Sequence, residues 1–297
     1  MERLIQGIVV GLGNGAIYAL LALAFVTIYK STRVLNFALP ALMVAGGVTV
    51  SYLAVGLGVP YVAAIGVAVV STAVLAVVLE RVFVRPMRGA PVFIVAIITL
   101  GIDIVVRVVV NRFIGATARQ VGDPWGIDAV MLAGTPVQER YLWFTLIALV
   151  IVGALLAFFA FTRTGLAMRA TSFDPEVAQA QGISIAMVFA VSWAIAGALA
   201  AVAGALIGTG SGITQSTWVS ALKALPAIIL GGLESVGGAI IGGLVVGMVE
   251  ALVGTYQADY APWLGNNFAV VSPYVVMLIV LLVRPYGLFG TPEIERV

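Results

Sequence analysis

Ionisable side chains set inside long apolar runs are where chemistry is to be sought first, because each is costly to hold away from water and marks a pathway, a relay or a partner by default. Asp103 and Arg107 stand four residues apart, one helical turn, and that spacing predicts a structural ion pair on one face. Lys223, Glu234 and Glu250 fall in or beside a glycine-rich apolar stretch, and Asn14, Tyr18 and Asn36 accompany the first apolar runs. Lys223 can serve a solute pathway or anchor a helix end by reaching for water. Glu250 can face such a pathway or hold a backbone amide or a loop arginine. The two amides and the phenol can bond across helices as readily as to a solute. The 297 residues include no histidine and no cysteine, which excludes disulfides, imidazole or thiolate metal sites, and Ser-His-Asp or Cys-His catalysis within this chain. There is no G-x-x-x-x-G-K-[ST] loop either, so the chain is not expected to hydrolyse ATP itself. No metal and no cofactor is implied.

The compact polar interruption between apolar segments is 163–183, R-T-G-L-A-M-R-A-T-S-F-D-P-E-V-A-Q-A-Q-G-I. Asp174 can cap a helix by accepting from the amides that a first turn leaves unpaired. Pro175 suits the first helical position, Glu176 complements the positive end of the helix dipole, and Gly182 can close the helix in a left-handed conformation. The pattern predicts a short helix over about 175–181, lying outside the bilayer, where a soluble partner can reach it.

The elements that must carry these groups follow from composition. With 62% hydrophobic and 9% charged residues and a mean hydropathy of +1.16, the chain is far from a soluble domain, which is about half apolar and a quarter charged. It reads as an all-α polytopic membrane protein of about eight transmembrane segments, with at least one broken or half-helix, in a single transmembrane domain over 1–297. A span needs about 20 apolar residues to cross roughly 30 Å of hydrocarbon, and candidates fall at 4–29, 38–56, 61–80, 91–110, 141–161, 185–208, 222–253 and 268–284. The seventh is too long for one span and is interrupted by Gly231-Gly232, Glu234-Ser235 and Gly237-Gly238. It predicts a half-helix around 222–231, a bend, and a full span over about 237–253, because broken backbone is tolerated at depth only where protein or a water-filled cavity satisfies it. The first run has no cleavage site and is expected to act as an uncleaved anchor.

Lys30, Arg33, Arg81, Arg85, Arg88, Arg163 and Arg169 collect on one side of the alternating loops, while 57–60 and 209–221 carry no basic residue. The basic side is expected in the cytoplasm, which puts 163–183 inside and 111–140 outside. The net charge of +2 thus speaks of orientation and not of nucleic acid. Simple alternation over these segments would leave both ends outside, whereas Arg284 and Arg296 favour the inside, so either the seventh or the second segment alters the parity. Small residues recur every four positions at Gly7, Gly11, Gly15 and Ala19, at Ala196, Ala200, Gly204 and Gly208, and at Gly238 with Gly242 beside Gly243 with Gly247. Such stripes let helices approach closely where lipid gives no hydrophobic drive, and packing is the expected role.

The unit Glu176-Val177-Ala178-x-x-x-Gly182 resembles the EAA-x-x-x-G coupling loop of ABC importer permeases, with valine at the central alanine. Along nearly its whole length the chain resembles the LivH-type permease of branched-chain amino-acid ABC importers. The resemblance is carried by Asn14-Gly15-Ala16-Ile17-Tyr18-Ala19-Leu20, Ile28-Tyr29 and Arg33 to Ala38. Further on, Glu80-Arg81 with Arg85 to Gly89 matches that family's E-R-x-x-x-R-P-x-R-G loop, and Gly165 to Arg169 leads to Pro175-Glu176 and Gly182-Ile183. Gly197 to Gly204, Leu222-Lys223-Ala224 through Gly231-Gly232, Gly237 to Gly247, Glu250, and Arg284 to Gly290 complete it. Two departures stand out. Leu39-Pro40-Ala41 replaces the family's usual His-Gly-Glu or polar variant, which bears on the solute, and Glu234 stands where the family usually has glycine.

The resemblance implies a cytoplasmic-membrane subunit that pairs with a second, LivM-type permease, two cytoplasmic ATPases and an extracytoplasmic solute-binding protein. It implies contact with the ATPase through Arg169, Asp174, Glu176, Ala178 and Gly182. The substrate pathway is expected along Asn14, Tyr18, Asn36, Lys223, Gly231, Gly232, Gly237, Gly238 and Glu250, lined mostly by small and apolar groups, since tight charge clamps would trap a zwitterion. Extra volume at Gly208, near a span end, is expected to be displaced toward a loop. Urea or short amides are the alternative solutes. An ion-coupled secondary transporter is the alternative of another class, and an intramembrane enzyme has no convergent nucleophile and base to support it.

Overall fold

The computed structural model describes residues 2–87, 89–265 and 267–290, so Arg88 and Arg296 lie outside the described residues. The helices are α1 (Glu2–Thr32), α2 (Leu39–Ser51), α3 (Tyr61–Leu79), α4 (Val92–Ile114), α5 (Glu139–Phe161), α6 (Arg163–Phe173), α7 (Pro175–Ala180), α8 (Ile185–Gly208), α9 (Trp218–Leu222), α10 (Ala224–Gly231), α11 (Val236–Tyr260) and α12 (Phe268–Val283). Among the described residues seven stretches are long and apolar enough to cross a membrane: α1, α2 with its continuation to Gly56, α3 with its continuation to Met87, α4, α5, α8 and α11. Trp218–Gly231 and α12 are apolar but shorter. At 16 residues, α12 is about 24 Å long, below the roughly 30 Å of a hydrocarbon core. The fold is all-α and polytopic, as composition demands.

The seventh apolar stretch is broken where expected. α9 and α10 form the short piece, Gly232 turns the chain at φ 96°, and the Ser235 side chain caps α11 by accepting from the Gly238 amide. In 111–140 the structure departs from a plain loop: β1 (Ala129–Leu132) and β2 (Thr135–Gln138) pair antiparallel. Their two-residue turn, Ala133-Gly134, has both φ positive, at 48° and 81°, the twist that joins adjacent strands. An alanine at the first position hides that turn from a search for Asn-Gly or Asp-Gly.

The described chain forms two compact units. The first comprises Met1–Val26, Trp125–Leu149 and Leu222–Val297. Its centre is α11, whose two small-residue stripes serve different neighbours. A Cβ on Gly242 would lie 2.0 Å from the Ala227 carbonyl oxygen of α10, and one on Gly243 would lie 2.4 Å from the Ala19 nitrogen of α1. Leu288 and Phe289, after α12, donate their amides to the Leu230 and Gly231 carbonyls. At the opposite end of α11, Asp259 pairs with Arg3 at the start of α1, at 2.7 Å. α10, eight residues and about 12 Å long, ends beside the segment that follows α12, and within this unit the start of α1 and the 284–290 segment lie at opposite ends of α11.

The second unit comprises Thr27–Pro124 and Val150–Ala221. Its core is α2 packed among α3, α4 and α8, with α3 in contact with both α2 and α8. Twelve of the 13 residues of α2 are buried. A Cβ on Gly204 would lie 2.0 Å from the Met43 carbonyl oxygen, and one on Gly46 would lie 2.4 Å from the Ala201 Cα. Gly208 packs against Val121 and Ile213, with 2.4 Å from its would-be Cβ to Val121 Cγ2. The expectation of room there is corrected: the 115–121 and 209–217 connections fold back over the end of α8.

Candidate functional site

Three consecutive helix starts organise the polar stretch after α5. Thr162 caps α6 through the Gly165 amide, Asp174 caps α7, and Ser184 caps α8 through the Met187 amide. The Asp174 Oδ1 accepts from the amides of Glu176 at 2.9 Å and Val177 at 3.0 Å. At the other end of α7, Ile183 donates to the Ala178 carbonyl at 3.1 Å, and Gly182 sits at φ 84°, where an L side chain is strained. The predicted helix over 175–181 is therefore present, ending at Ala180. Ala178 turns inward and is buried, while Asp174, Glu176, Gly182 and, on α6, Arg169 are exposed. Phe173 is 88% exposed and Val177 57%. Two exposed apolar side chains on either side of the Asp174 cap, Phe173 at the end of α6 and Val177 on the short, doubly closed α7, are what a groove on a partner can grip. Arg33, which closes α1 at φ 57°, donates from its guanidinium to the Ser172 carbonyl at 3.0 Å and so ties this stretch to the turn after α1.

The Asp103–Arg107 pair forms as the four-residue spacing predicted, at 2.6 Å. Its surroundings were not legible from spacing. Asp103 Oδ1 also accepts from the Ala41 amide at 3.1 Å, serving the first turn of α2. The Arg107 guanidinium stacks over the Trp218 ring at 4.0 Å. Thr99 accepts from the Phe37 amide, so the 33–38 turn runs alongside α4, and α2 starts about 16 Å along from Val92. Asn36 is buried, and its side-chain oxygen accepts from the Ala38 amide. In this chain that amide organises the approach to α2.

In the first unit, Lys223, Glu250 and Tyr18 converge. The Lys223 ammonium lies 2.5 Å from Glu250 Oε1 and donates to the Tyr18 oxygen at 3.2 Å, while the Tyr18 hydroxyl donates to Glu250 Oε2 at 2.8 Å. The partners are 27 and 232 residues apart, so no local pattern announces the cluster. Asn14 lies half-buried on the same helix as Tyr18. Glu234 lies outside the helices, exposed in the 232–235 turn between α10 and α11. Gly231 and Gly238 face each other, a Cβ on Gly231 reaching 2.1 Å from the Gly238 oxygen and the reverse 2.0 Å. Gly232 meets the backbone of Gly290, with 2.7 Å from its would-be Cβ to that nitrogen. Gly237 has open space within 4 Å of where its Cβ would be. Three of the four bracket glycines thus serve close backbone approach, and one presents a free face. Among the described residues no group of three or more acidic residues is arranged to hold a metal ion.

Comparison with known proteins places this architecture. The LivH permease protein of the high-affinity branched-chain amino acid transport system of Salmonella typhimurium is 30% identical, with 97% of this chain and 96% of that protein covered. The corresponding BraD permease protein of Pseudomonas aeruginosa is 28% identical over 99% and 98% of the two chains. Among solved structures, an inward-facing metal-chelate type ABC transporter superposes with a TM-score of 0.53 at 15% identity, over 94% of this chain and 87% of that one, a likeness of fold. The family model for the permease component of the branched-chain amino acid transport system matches residues 7–282, and the chain, a multi-pass membrane protein, belongs to that family.

Proposed function

We propose that this chain is a membrane-spanning permease subunit of an ABC importer in the cytoplasmic membrane. It moves branched-chain or closely related amino acids inward, driven by ATP hydrolysis on separate subunits. The observation that carries the reading is α7: a helix capped by Asp174 and closed at Gly182, with its own Val177 and the preceding Phe173 of α6 exposed, in a chain whose full-length relatives are branched-chain amino acid permeases. Exposed apolar side chains at so short a polar interruption are unfavourable without a partner, and a soluble ATPase supplies one. Arg169, Asp174, Glu176, Ala178 and Gly182 then shape or touch that contact. The remaining partners are a LivM-type permease, a second ATPase copy and an extracytoplasmic solute-binding protein. Asn14, Tyr18, Asn36, Lys223, Gly231, Gly232, Gly237, Gly238 and Glu250 belong to the solute route or its walls.

The test is uptake by the complete complex in proteoliposomes, with labelled leucine, isoleucine, valine and urea offered together with the binding protein. ATP-dependent accumulation of the three amino acids is the expected result. Equal uptake with the ATPase subunits omitted, or uptake of urea alone, would overturn it.

A further inference from the structure

The Tyr18–Lys223–Glu250 cluster differs from the Asp103–Arg107 ion pair in what its bonds hold. Asp103 also serves the first turn of α2, and Arg107 is stacked on Trp218, so opening that pair would unfasten backbone and ring packing too. In the cluster all three bonds run between side chains. The pair can open while the backbone stays as it is. Its side chains keep 12% and 14% of their surface exposed, so a solute can reach them. They also lie at depth: Tyr18 is midway along α1, and Glu250 is about 21 Å along α11 from Val236. Lys223 stands at the N-terminal end of α10, whose dipole adds positive potential.

Opening an ion pair in apolar surroundings is costly unless each charge finds a replacement. A zwitterion brings both replacements, and a neutral solute brings neither. We propose that Lys223, Glu250 and Tyr18 form an exchange site for the α-ammonium and α-carboxylate of an amino acid. The carboxylate takes Glu250's place on the Lys223 ammonium and the Tyr18 hydroxyl, and the ammonium takes Lys223's place on Glu250. One ion pair becomes two and no charge is left alone, so the solute can enter. When Lys223 and Glu250 close on each other again they displace it, so it can leave. This rests on the reading that the chain carries amino acids, and it names the part of the amino acid that is recognised.

The test uses the complete transporter with Lys223→Met/Glu250→Leu, which removes both charges, and Lys223→Glu/Glu250→Lys, which reverses the pair. Complex yield and leucine uptake are measured side by side. Removing both members of a buried pair together leaves no uncompensated charge, so assembly is expected to survive. Leucine uptake is expected to fall at least tenfold in both variants, because one offers no charges and the other offers them to the wrong ends of a solute whose side chain fixes its orientation. An assembled variant that takes up leucine within twofold of wild type would overturn the site while leaving the amino-acid reading intact. Failure of both variants to assemble would overturn it as well, assigning the pair to the scaffold. A wild-type complex that ignores leucine would remove the functional reading and this site together.

Discussion

Replacing Asp174 by alanine isolates the shape of α7 from the rest of the molecule. The helix has six residues, about 9 Å, and a helix so short has no stability of its own. Two of its amides, those of Glu176 and Val177, are satisfied by the Asp174 carboxylate at 2.9 and 3.0 Å. Losing an N-cap costs about 1 kcal/mol, which is about a fivefold fall in the ratio of folded to frayed helix. Gly182→Ala forces a side chain onto φ 84° and adds about 1–2 kcal/mol more. Neither change touches a spanning helix, so the yield and thermal inactivation of the membrane complex are expected to match wild type. Solute-stimulated ATPase activity should fall by up to about fivefold for Asp174→Ala and further for the double variant, while Asp174→Asn, which keeps a cap, should stay near wild type. Stimulated activity equal to wild type in the double variant would refute the reasoning. So would loss of assembly in parallel with activity, because α7 would then be part of the scaffold.

Further outcomes follow from the same geometry. Gly238→Ala drives a methyl group to 2.0 Å from the Gly231 oxygen and should destabilise the α10–α11 contact by about 1–3 kcal/mol, read as lower complex yield. Gly237→Ala meets open space and should change stability by no more than about 0.5 kcal/mol; equal losses at both sites would refute the packing assignment. Asp103→Leu removes the amide acceptor for Ala41 and leaves Arg107 without its carboxylate, and should cost about 3–5 kcal/mol, seen as failure to assemble, with partial recovery when Arg107→Met is added. Introduced into a chain that has no cysteine, Asp174→Cys should be labelled by an impermeant thiol reagent only from the cytoplasmic side; labelling of intact cells from outside would overturn the orientation.

Much of the local structure was legible because it depends on short-range chemistry. Asp174, Pro175 and Gly182 set the ends of α7 through capping and backbone preference, which act over a few residues. The double-glycine pairs marked the break between α10 and α11 for the same reason, and Asp103 with Arg107 is a one-turn relation. Apolar run length defined most of the spans. Glu234 was misjudged because window hydropathy cannot tell a residue in a turn between apolar helices from one inside them, and the Ala133-Gly134 hairpin was missed because its alanine is an atypical choice at positive φ.

What spacing along the chain could not supply was which charges meet. Tyr18 lies on α1, Glu250 on α11 and Lys223 at the N-cap of α10, and only the glycine stripes of α11, one turned to α1 and the other to α10, bring those helices close enough for a 2.5 Å ion pair. Likewise the second role of Asp103 follows from α2 starting part-way along α4, which depends on the turn at 33–38 and the Thr99 hydroxyl. Residue types and periodicity determine that this protein spans the membrane as helices and how each helix begins and ends. Helix-to-helix distance decides which ionisable groups are paired, because a charge held away from water takes whatever partner close packing brings within reach.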